Sequence, residues 1–174
     1  DQLARPVGFS LSHEAKKACY VPLRAPAGDP VMDEAAAKRE LSRLFGASAT
    51  TLVGQNVKYD YSVMSRFVGP MKNGLYDTMI ASWLLDAEAE SLGLEALAER
   101  RLGYVGIEYD DIVPKGKCFD CVPLEEAARY AAEDADLTYR LWRLTAPELA
   151  TAGLKPIFET LEMPLVPILA GMEA

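Results

Sequence analysis

Short strand-like runs are confined to the first third of the chain, and helical periodicity fills most of the remainder. The runs 5–12 and 18–23 flank a polar turn and predict a β-hairpin, and 50–53 predicts a third short strand. Apolar residues recur at helical spacing elsewhere, most extensively over 123–144, where Pro123 stands in the first turn. This order of elements predicts an α/β or α+β domain.

Several helix ends are marked by residues that favour them. Gly46 and Gly103 follow amphipathic stretches and are predicted to end those helices, because glycine accepts the backbone conformations found there. Asp77 is predicted to be the N-cap of a buried helix over 77–85. The stretch from residue 156 to the end predicts one more apolar helix, interrupted by Pro164 and Pro167.

Composition restricts the class of protein. The 174 residues can bury one full core, and no apolar run approaches the roughly 20 residues of a membrane span, so no membrane partner is expected. Three cysteines argue against a disulfide scaffold and predict a cytoplasmic location. The net charge of −8 opposes simple nucleic-acid binding, unless a basic surface lies elsewhere in a larger protein or bound cations offset a carboxylate cluster.

Three residues stand where metal chemistry is feasible, although each has a simpler interpretation. Asp60 lies in a first helical turn after a strand, where an aspartate commonly interacts with the helix dipole. Tyr130 and Asp134 are four residues apart on the long helix and share one face, as ordinary surface pairs do. Glu133 and Asp136 point elsewhere and are expected to be solvated. Residues 118–121 form a C-x-x-C, but no further metal or redox context accompanies it.

A series of segments, taken in order, resembles the 3′→5′ exonuclease domain of bacterial, Klenow-type family A DNA polymerases. The segments are GQNVKYD (54–60), YDTM (76–79), LAERRLG (97–103), PKGK (114–117), LEEAARYAAEDAD (124–136) and LEMPLVPILAGME (161–173). The resemblance covers nearly the whole chain. It implies an α/β, ribonuclease H-like fold with a mixed central sheet flanked by helices, and the tyrosine subclass of that superfamily. It also implies an exonuclease domain over 1–155 and the first polymerase helix over 156–174.

The resemblance implies two-metal hydrolysis of DNA. Asp134 would bind one divalent ion directly, Asp60 would serve the second, and Tyr130 would orient the attacking water. The expected ions are Mg²⁺, with Mn²⁺ or Zn²⁺ as alternatives, and hard cations of this kind prefer oxygen ligands.

The resemblance also implies substrate contacts with a single-stranded 3′ end of DNA. The matching positions that would hold the terminal nucleotides are Gln55, Asn56, Lys58, Tyr59 and Phe119. Lys115 and Lys117 could meet phosphates or simply be solvated. Many relatives carry an Arg-His pair where this chain has Ser91-Leu92, which puts tight DNA binding in doubt.

The first motif of the family, an Asp-x-Glu on its central opening strand, is not found at its place before the segment aligned with residues 1–3. We therefore expect the chain to be a trimmed piece that lacks this strand, and to be inactive when isolated. Its neighbouring strands would then lack a ladder partner, so a continuous four-stranded sheet would contradict this topology.

Two other functions remain open. A non-catalytic scaffold domain of a family A polymerase is the main alternative, although the retention of Asp60, Tyr130 and Asp134 speaks against a decayed site. A stand-alone RNA-trimming exonuclease is the other. The apolar ending 161–173 favours fusion to a polymerase domain of the same parent chain, which is therefore an expected partner.

Overall fold

The computed structural model describes residues 5–173, so the alignment of residues 1–3 with the end of the first motif lies outside the described residues. The elements are β1 (Gly8–Glu14), β2 (Lys17–Pro22), α1 (Glu34–Phe45), β3 (Thr51–Gly54), α2 (Val57–Val68), β4 (Gly74–Asp77), α3 (Thr78–Leu85), α4 (Leu94–Leu102), α5 (Tyr109–Ile112), α6 (Leu124–Thr151), α7 (Lys155–Ile157) and α8 (Met163–Met172). A 3₁₀ turn, Phe119–Cys121, precedes α6, and a π-helical turn, Phe158–Glu162, joins α7 to α8. The domain is α/β, as the sequence predicts.

Strands β1 and β2 form the expected hairpin. They run antiparallel with Gly8 opposite Pro22, and the register shifts between Ser12 and Glu14, next to the turn. Lys16 adopts a left-handed φ of 65° in that turn, and its backbone N–H donates to the Asp136 carboxylate on α6. This bond fixes the hairpin turn against the long helix.

Strands β3 and β4 form a second, separate pair. They run parallel, with Thr51 opposite Gly74 and Gly54 opposite Asp77. Over residues 5–173 no ladder joins this pair to the hairpin, in agreement with the expected gap between the strands. Strand β4 was not predicted from the sequence, because this four-residue strand runs directly into a helix.

Helix α6 organises the domain, since it contacts both strand pairs as well as α3 and α4. One buried cluster gathers side chains from α2, β4, α3, α6 and the C-terminal helices: Val57, Tyr76, Ala81, Leu149, Phe158, Met163 and Val166. Inside it, the hydroxyls of Tyr76 and Thr145 share a hydrogen bond of 2.9 Å. Both hydroxyls are thereby satisfied within the core.

Two expectations about α6 are wrong. The helix continues past residue 144 to Thr151 with Pro147 inside it, because its last turns bury Leu149 in the core, although Pro147 removes one backbone hydrogen bond. Glu133 and Asp136 are half-buried rather than solvated. Glu133 accepts from the Tyr104 hydroxyl at 2.7 Å and from the backbone N–H of Ile107, so it fastens the loop after α4 to the helix.

Among residues 5–173, no helix combines the length and the apolar character that crossing a membrane would require.

Candidate functional site

The junction between β3 and α2 brings the backbone into a tight turn. A side chain at Gly54 would approach Val57 Cγ2 to 2.9 Å, which is closer than carbon atoms pack. Asn56 follows with a left-handed φ of 58°, a conformation that asparagine tolerates better than most residues. The turn therefore sets the direction in which the first turn of α2 leaves the sheet.

Asp77 holds this junction from the neighbouring strand. It is 1% exposed, and its carboxylate accepts from the N–H groups of Asn56 at 3.1 Å and Val57 at 2.8 Å. The same carboxylate accepts from Met79 and Ile80, so it is the predicted N-cap of α3 and also caps α2. One buried side chain thus fixes the starts of two helices.

Asp60 lies in the first turn of α2, as the sequence predicts. The residue as a whole is exposed, yet the protein packed around its carboxylate raises its pKa to about 6 by desolvation, and the nearby charge of Asp77 adds to the rise. The Asp77 charge acts in this direction because a like charge close by disfavours the ionised carboxylate. A cation beside Asp60 would relieve this repulsion.

The substrate residues expected near Asp60 differ in how the structure holds them. The Gln55 amide donates to the Leu92 carbonyl at 2.7 Å and accepts from the Thr78 hydroxyl at 2.6 Å. This pair of bonds ties the start of α2 to the loop before α4. Asn56 and Tyr59 are exposed, whereas Lys58 forms an ion pair of 2.5 Å with Glu173 after α8.

The second half of the site lies on α6. The Tyr130 hydroxyl lies near the Asp134 carboxylate one turn later, and burial together with this negative charge raises the pKa of Tyr130. Burial also raises the pKa of Asp134 to about 7, and the carboxylates of Glu95 and Glu133 add to the rise against the lowering effect of the Tyr130 hydroxyl. Glu95, on α4, was not anticipated from the sequence, because only the fold brings it near α6.

Phe119 lies beside Tyr130 in what we call the aromatic cluster, composed of Tyr20, Tyr109, Phe119 and Tyr130. The Phe119 ring centroid is 5.9 Å from that of Tyr130, 6.2 Å from that of Tyr20 and 6.3 Å from that of Tyr109. Tyr20 and Tyr109 were not predicted as site residues either, since they belong to distant segments with no motif of their own.

The structure therefore gathers the expected residues into two groups. The first surrounds Asp60 at the start of α2, and the second joins Asp134, Tyr130 and Phe119. The segment from Leu92 to Glu95 connects the two groups, because Gln55 bonds the Leu92 carbonyl at one end and the Glu95 carboxylate lies near Asp134 at the other.

Lys115 and Lys117 are exposed on the loop before the 3₁₀ turn, and Cys118 and Cys121 are free and exposed. Over the described residues, no three carboxylate, histidine or cysteine side chains meet closely enough to hold one ion.

Comparison with known proteins decides the family. A family model described as 3′-5′ exonuclease matches residues 2–150. The chain belongs to this exonuclease family. Curated proteins similar to the chain include DNA polymerase I of Treponema pallidum, 38% identical over 97% of the chain, and DNA polymerase I of Rhizobium leguminosarum, 39% identical over 100% of it. The chain spans about a fifth of these relatives, 21% and 18% of their lengths.

Solved structures confirm the fold class of this exonuclease. Brucella melitensis NrnC superposes with a TM-score of 0.76 at 16% identity, covering 97% of this chain and 76% of that one. A form of the same protein with bound Mg²⁺ superposes with a TM-score of 0.66 at 18% identity. The α/β, ribonuclease H-like class predicted from the sequence is therefore confirmed, and so is the resemblance to the exonuclease domain of DNA polymerase I.

Proposed function

We propose that this exonuclease domain removes nucleotides from the single-stranded or frayed 3′ end of DNA, as the proofreading part of a DNA polymerase I. The observation that carries the proposal is the placement of the Tyr130 hydroxyl one helix turn from the Asp134 carboxylate, whose pKa burial raises to about 7, with the Phe119 ring 5.9 Å from that of Tyr130. A strongly shifted carboxylate beside an aromatic cluster is typical of a reaction site rather than of a helix surface. The family membership supplies the reaction class.

The carboxylates present fit divalent cations. Asp60 and Asp134 offer carboxylate oxygens, and burial together with neighbouring carboxylates raises the pKa of each, so a bound cation would favour their ionised forms. Asp134 would hold one ion and Asp60 would serve a second, with Mg²⁺ the first candidate, because the Brucella melitensis relative of this fold was solved with Mg²⁺. Such ions would supply charge stabilisation for the attacking water and the leaving oxygen. Further ligands are needed to complete the site.

The residues of the chain can perform the remaining steps. The Tyr130 hydroxyl can accept from the attacking water while Asp134 receives the hydroxyl proton in a hydrogen bond, so the water is oriented towards phosphorus. The new bond joins the water oxygen to phosphorus as the water gives up a proton to solvent, the P–O3′ bond breaks, and the leaving 3′ oxygen takes a proton from solvent. The products are a nucleoside 5′-monophosphate and a strand shortened by one nucleotide.

Substrate binding belongs to the same proposal. Asn56 and Tyr59 are exposed beside Asp60 and can contact the terminal nucleotide directly. Gln55 contributes by holding the turn, because its amide already bonds Leu92 and Thr78. Phe119 offers a ring to a base, and Lys58 can bind a phosphate once it leaves Glu173.

The proposal also covers the domain bounds and the cellular location. Residues 1–155 form the exonuclease domain, residues 156–174 begin a polymerase domain, and the protein is cytoplasmic.

The test is Asp134→Ala in the complete polymerase, with Glu125→Ala as the matched control, since Glu125 is an exposed carboxylate on the same helix. We expect the Asp134 variant to lose Mg²⁺-dependent 3′→5′ trimming of labelled single strands and to keep polymerisation. The control should retain both activities. Trimming at the wild-type rate by the Asp134 variant would overturn the proposal. Absence of trimming in the wild type would favour the scaffold alternative.

A further inference from the structure

Cys118 and Cys121 stand at the two ends of the 3₁₀ turn before α6. Cys118 precedes the turn with an extended φ of −103° and ψ of 162°, and Cys121 is its last residue. The backbone N–H of Cys121 donates to the Cys118 carbonyl at 3.0 Å, which closes the turn. A turn closed in this way keeps its end Cα atoms within about 7 Å, and a disulfide spans about 4.4–6.8 Å between Cα atoms. The backbone of the turn therefore suits a disulfide between its two ends.

The two cysteine side chains are placed to meet. An extended residue followed by three helical ones directs its side chain towards the third of them, as in the capping box of a longer helix. Cys118 and Cys121 occupy these two positions, and both are free and exposed. A small molecule in solution can therefore reach both thiols.

Packing holds the turn in place between the cysteines and after them. The Phe119 ring is half-buried in the aromatic cluster, and Val122 is 1% exposed in a small core with Val113 and Ala127. The backbone N–H of Val122 also donates to the Phe119 carbonyl at 3.1 Å. The fold thus keeps the two thiols near each other, and groups that are held together react at a high effective concentration.

The surroundings of the two thiols differ. The Cys121 Sγ–H donates to the Asp120 carboxylate, with 3.8 Å between sulfur and oxygen. This contact needs the thiol proton, and the negative charge of Asp120 opposes the thiolate, which is the reactive form of cysteine. Cys118 instead follows the exposed Lys117 in the chain. Cys118 is therefore the better placed to attack first.

We propose that Cys118 and Cys121 are a redox modification site, which a small disulfide of the glutathione class oxidises to an intramolecular disulfide. The Cys118 thiolate attacks one sulfur of the small disulfide, whose S–S bond breaks and releases one glutathione thiolate. The Cys121 thiolate then attacks the Cys118 sulfur, the mixed S–S bond breaks, and a second glutathione thiolate leaves.

The exchange balances without any further reactant. Two electrons pass from the cysteine pair to the small disulfide, and the two cysteine protons pass through solvent to the two glutathione molecules. The inference stands apart from the proposed function, although the new bond would enclose Phe119, which that function uses. In a reducing compartment the pair would remain as thiols until glutathione disulfide accumulates.

The experiment maps disulfides in the complete polymerase after the folded protein has been equilibrated with glutathione disulfide. Acid stops the exchange, the remaining thiols are alkylated, and trypsin cleaves the chain. Cleavage after Lys117 and Arg129 releases both cysteines in one peptide, 118–129, whereas Cys19 lies in peptide 18–24. We expect the form of 118–129 that has lost two hydrogens to outnumber its glutathione-bound form by about tenfold. Peptide 18–24 is the internal control and should carry at most one glutathione.

Two comparisons test the contribution of the fold and the order of attack. In concentrated urea the ratio of closed to glutathione-bound peptide should fall about tenfold, because the unfolded segment no longer holds the thiols together. Cys121→Ser should form a mixed disulfide at Cys118 about tenfold faster than Cys118→Ser forms one at Cys121.

The same peptides give the results that contradict the inference. Glutathione-bound peptide without the closed form in the folded protein, or an equal ratio in urea, would overturn the modification site. Equal rates for the two serine variants would refute the attack by Cys118. Each of these results is read from peptide masses, so it is separate from any failure of the polymerase to trim DNA.

Discussion

Removal of the Asp77 carboxylate tests whether one side chain fixes the starts of two helices. In Asp77→Ala the N–H groups of Asn56, Val57, Met79 and Ile80 all lose their acceptor. Loss of one helix cap costs about 1 kcal/mol, and leaving a buried N–H such as that of Val57 unsatisfied costs about 1–3 kcal/mol. Relief of the carboxylate's own burial, which raises the pKa of Asp77, offsets part of this cost. We expect a net loss of about 3 kcal/mol in the free energy of unfolding.

Two further variants make the test specific. Asp77→Asn keeps one oxygen, which can still accept from Asn56, Met79 and Ile80, and loses only the bond to Val57, so we expect about half the effect. Asp33→Ala is the matched control, because Asp33 caps only α1 and bonds one exposed N–H, that of Ala36. Its loss should cost about 1 kcal/mol.

The measurement is urea unfolding of the purified chain, followed by circular dichroism, with equal m-values across the variants as the condition for comparison. A loss in Asp77→Ala no greater than that in Asp33→Ala would refute the double-cap reasoning. It would mean that the start of α2 is held by its packing alone.

Two other predictions concern charge. The pKa values of Asp60 and Asp134 are raised to about 6 and about 7, so the folded state binds more protons than the unfolded state. The metal-free chain should therefore lose stability as the pH rises from about 4 through about 7, measured as the urea midpoint, and less so in Asp60→Asn/Asp134→Asn. Equal pH dependence in both proteins would contradict this. Glu173→Gln should free Lys58 and tighten single-strand DNA binding at low salt, whereas Glu159→Gln, which alters only a pair with Lys155, should not.

Local patterns in the sequence predict the helices and the Tyr130–Asp134 pair well. A spacing of four residues places both side chains on one helix face whatever the tertiary structure is. The N-cap at Asp77 follows from the same kind of local rule, because the N–H groups that it caps on α3 are its immediate neighbours.

Most features missed at the site depend on contacts between distant segments. The second role of Asp77 joins it to backbone groups 20 and 21 residues away, and the bond of Asp136 to the hairpin turn spans 120 residues. Glu133 was wrongly expected to be solvated for the same reason, since its partners, in the loop after α4, lie 26 and 29 residues away. The position of Tyr109 beside Phe119 likewise depends on how α5 and the 3₁₀ turn before α6 fold against each other.

The separation of the two strand pairs has a consequence for how the chain behaves at high concentration. Within residues 5–173, each strand has a ladder partner on one side only, so the other side presents backbone donors and acceptors. Such an edge can recruit an extended segment of any neighbouring molecule, and the result is intermolecular β-pairing. Concentrated preparations of the chain should thus be prone to self-association. A strand that filled the space between the two pairs would hydrogen-bond to their free edges and prevent this intermolecular pairing.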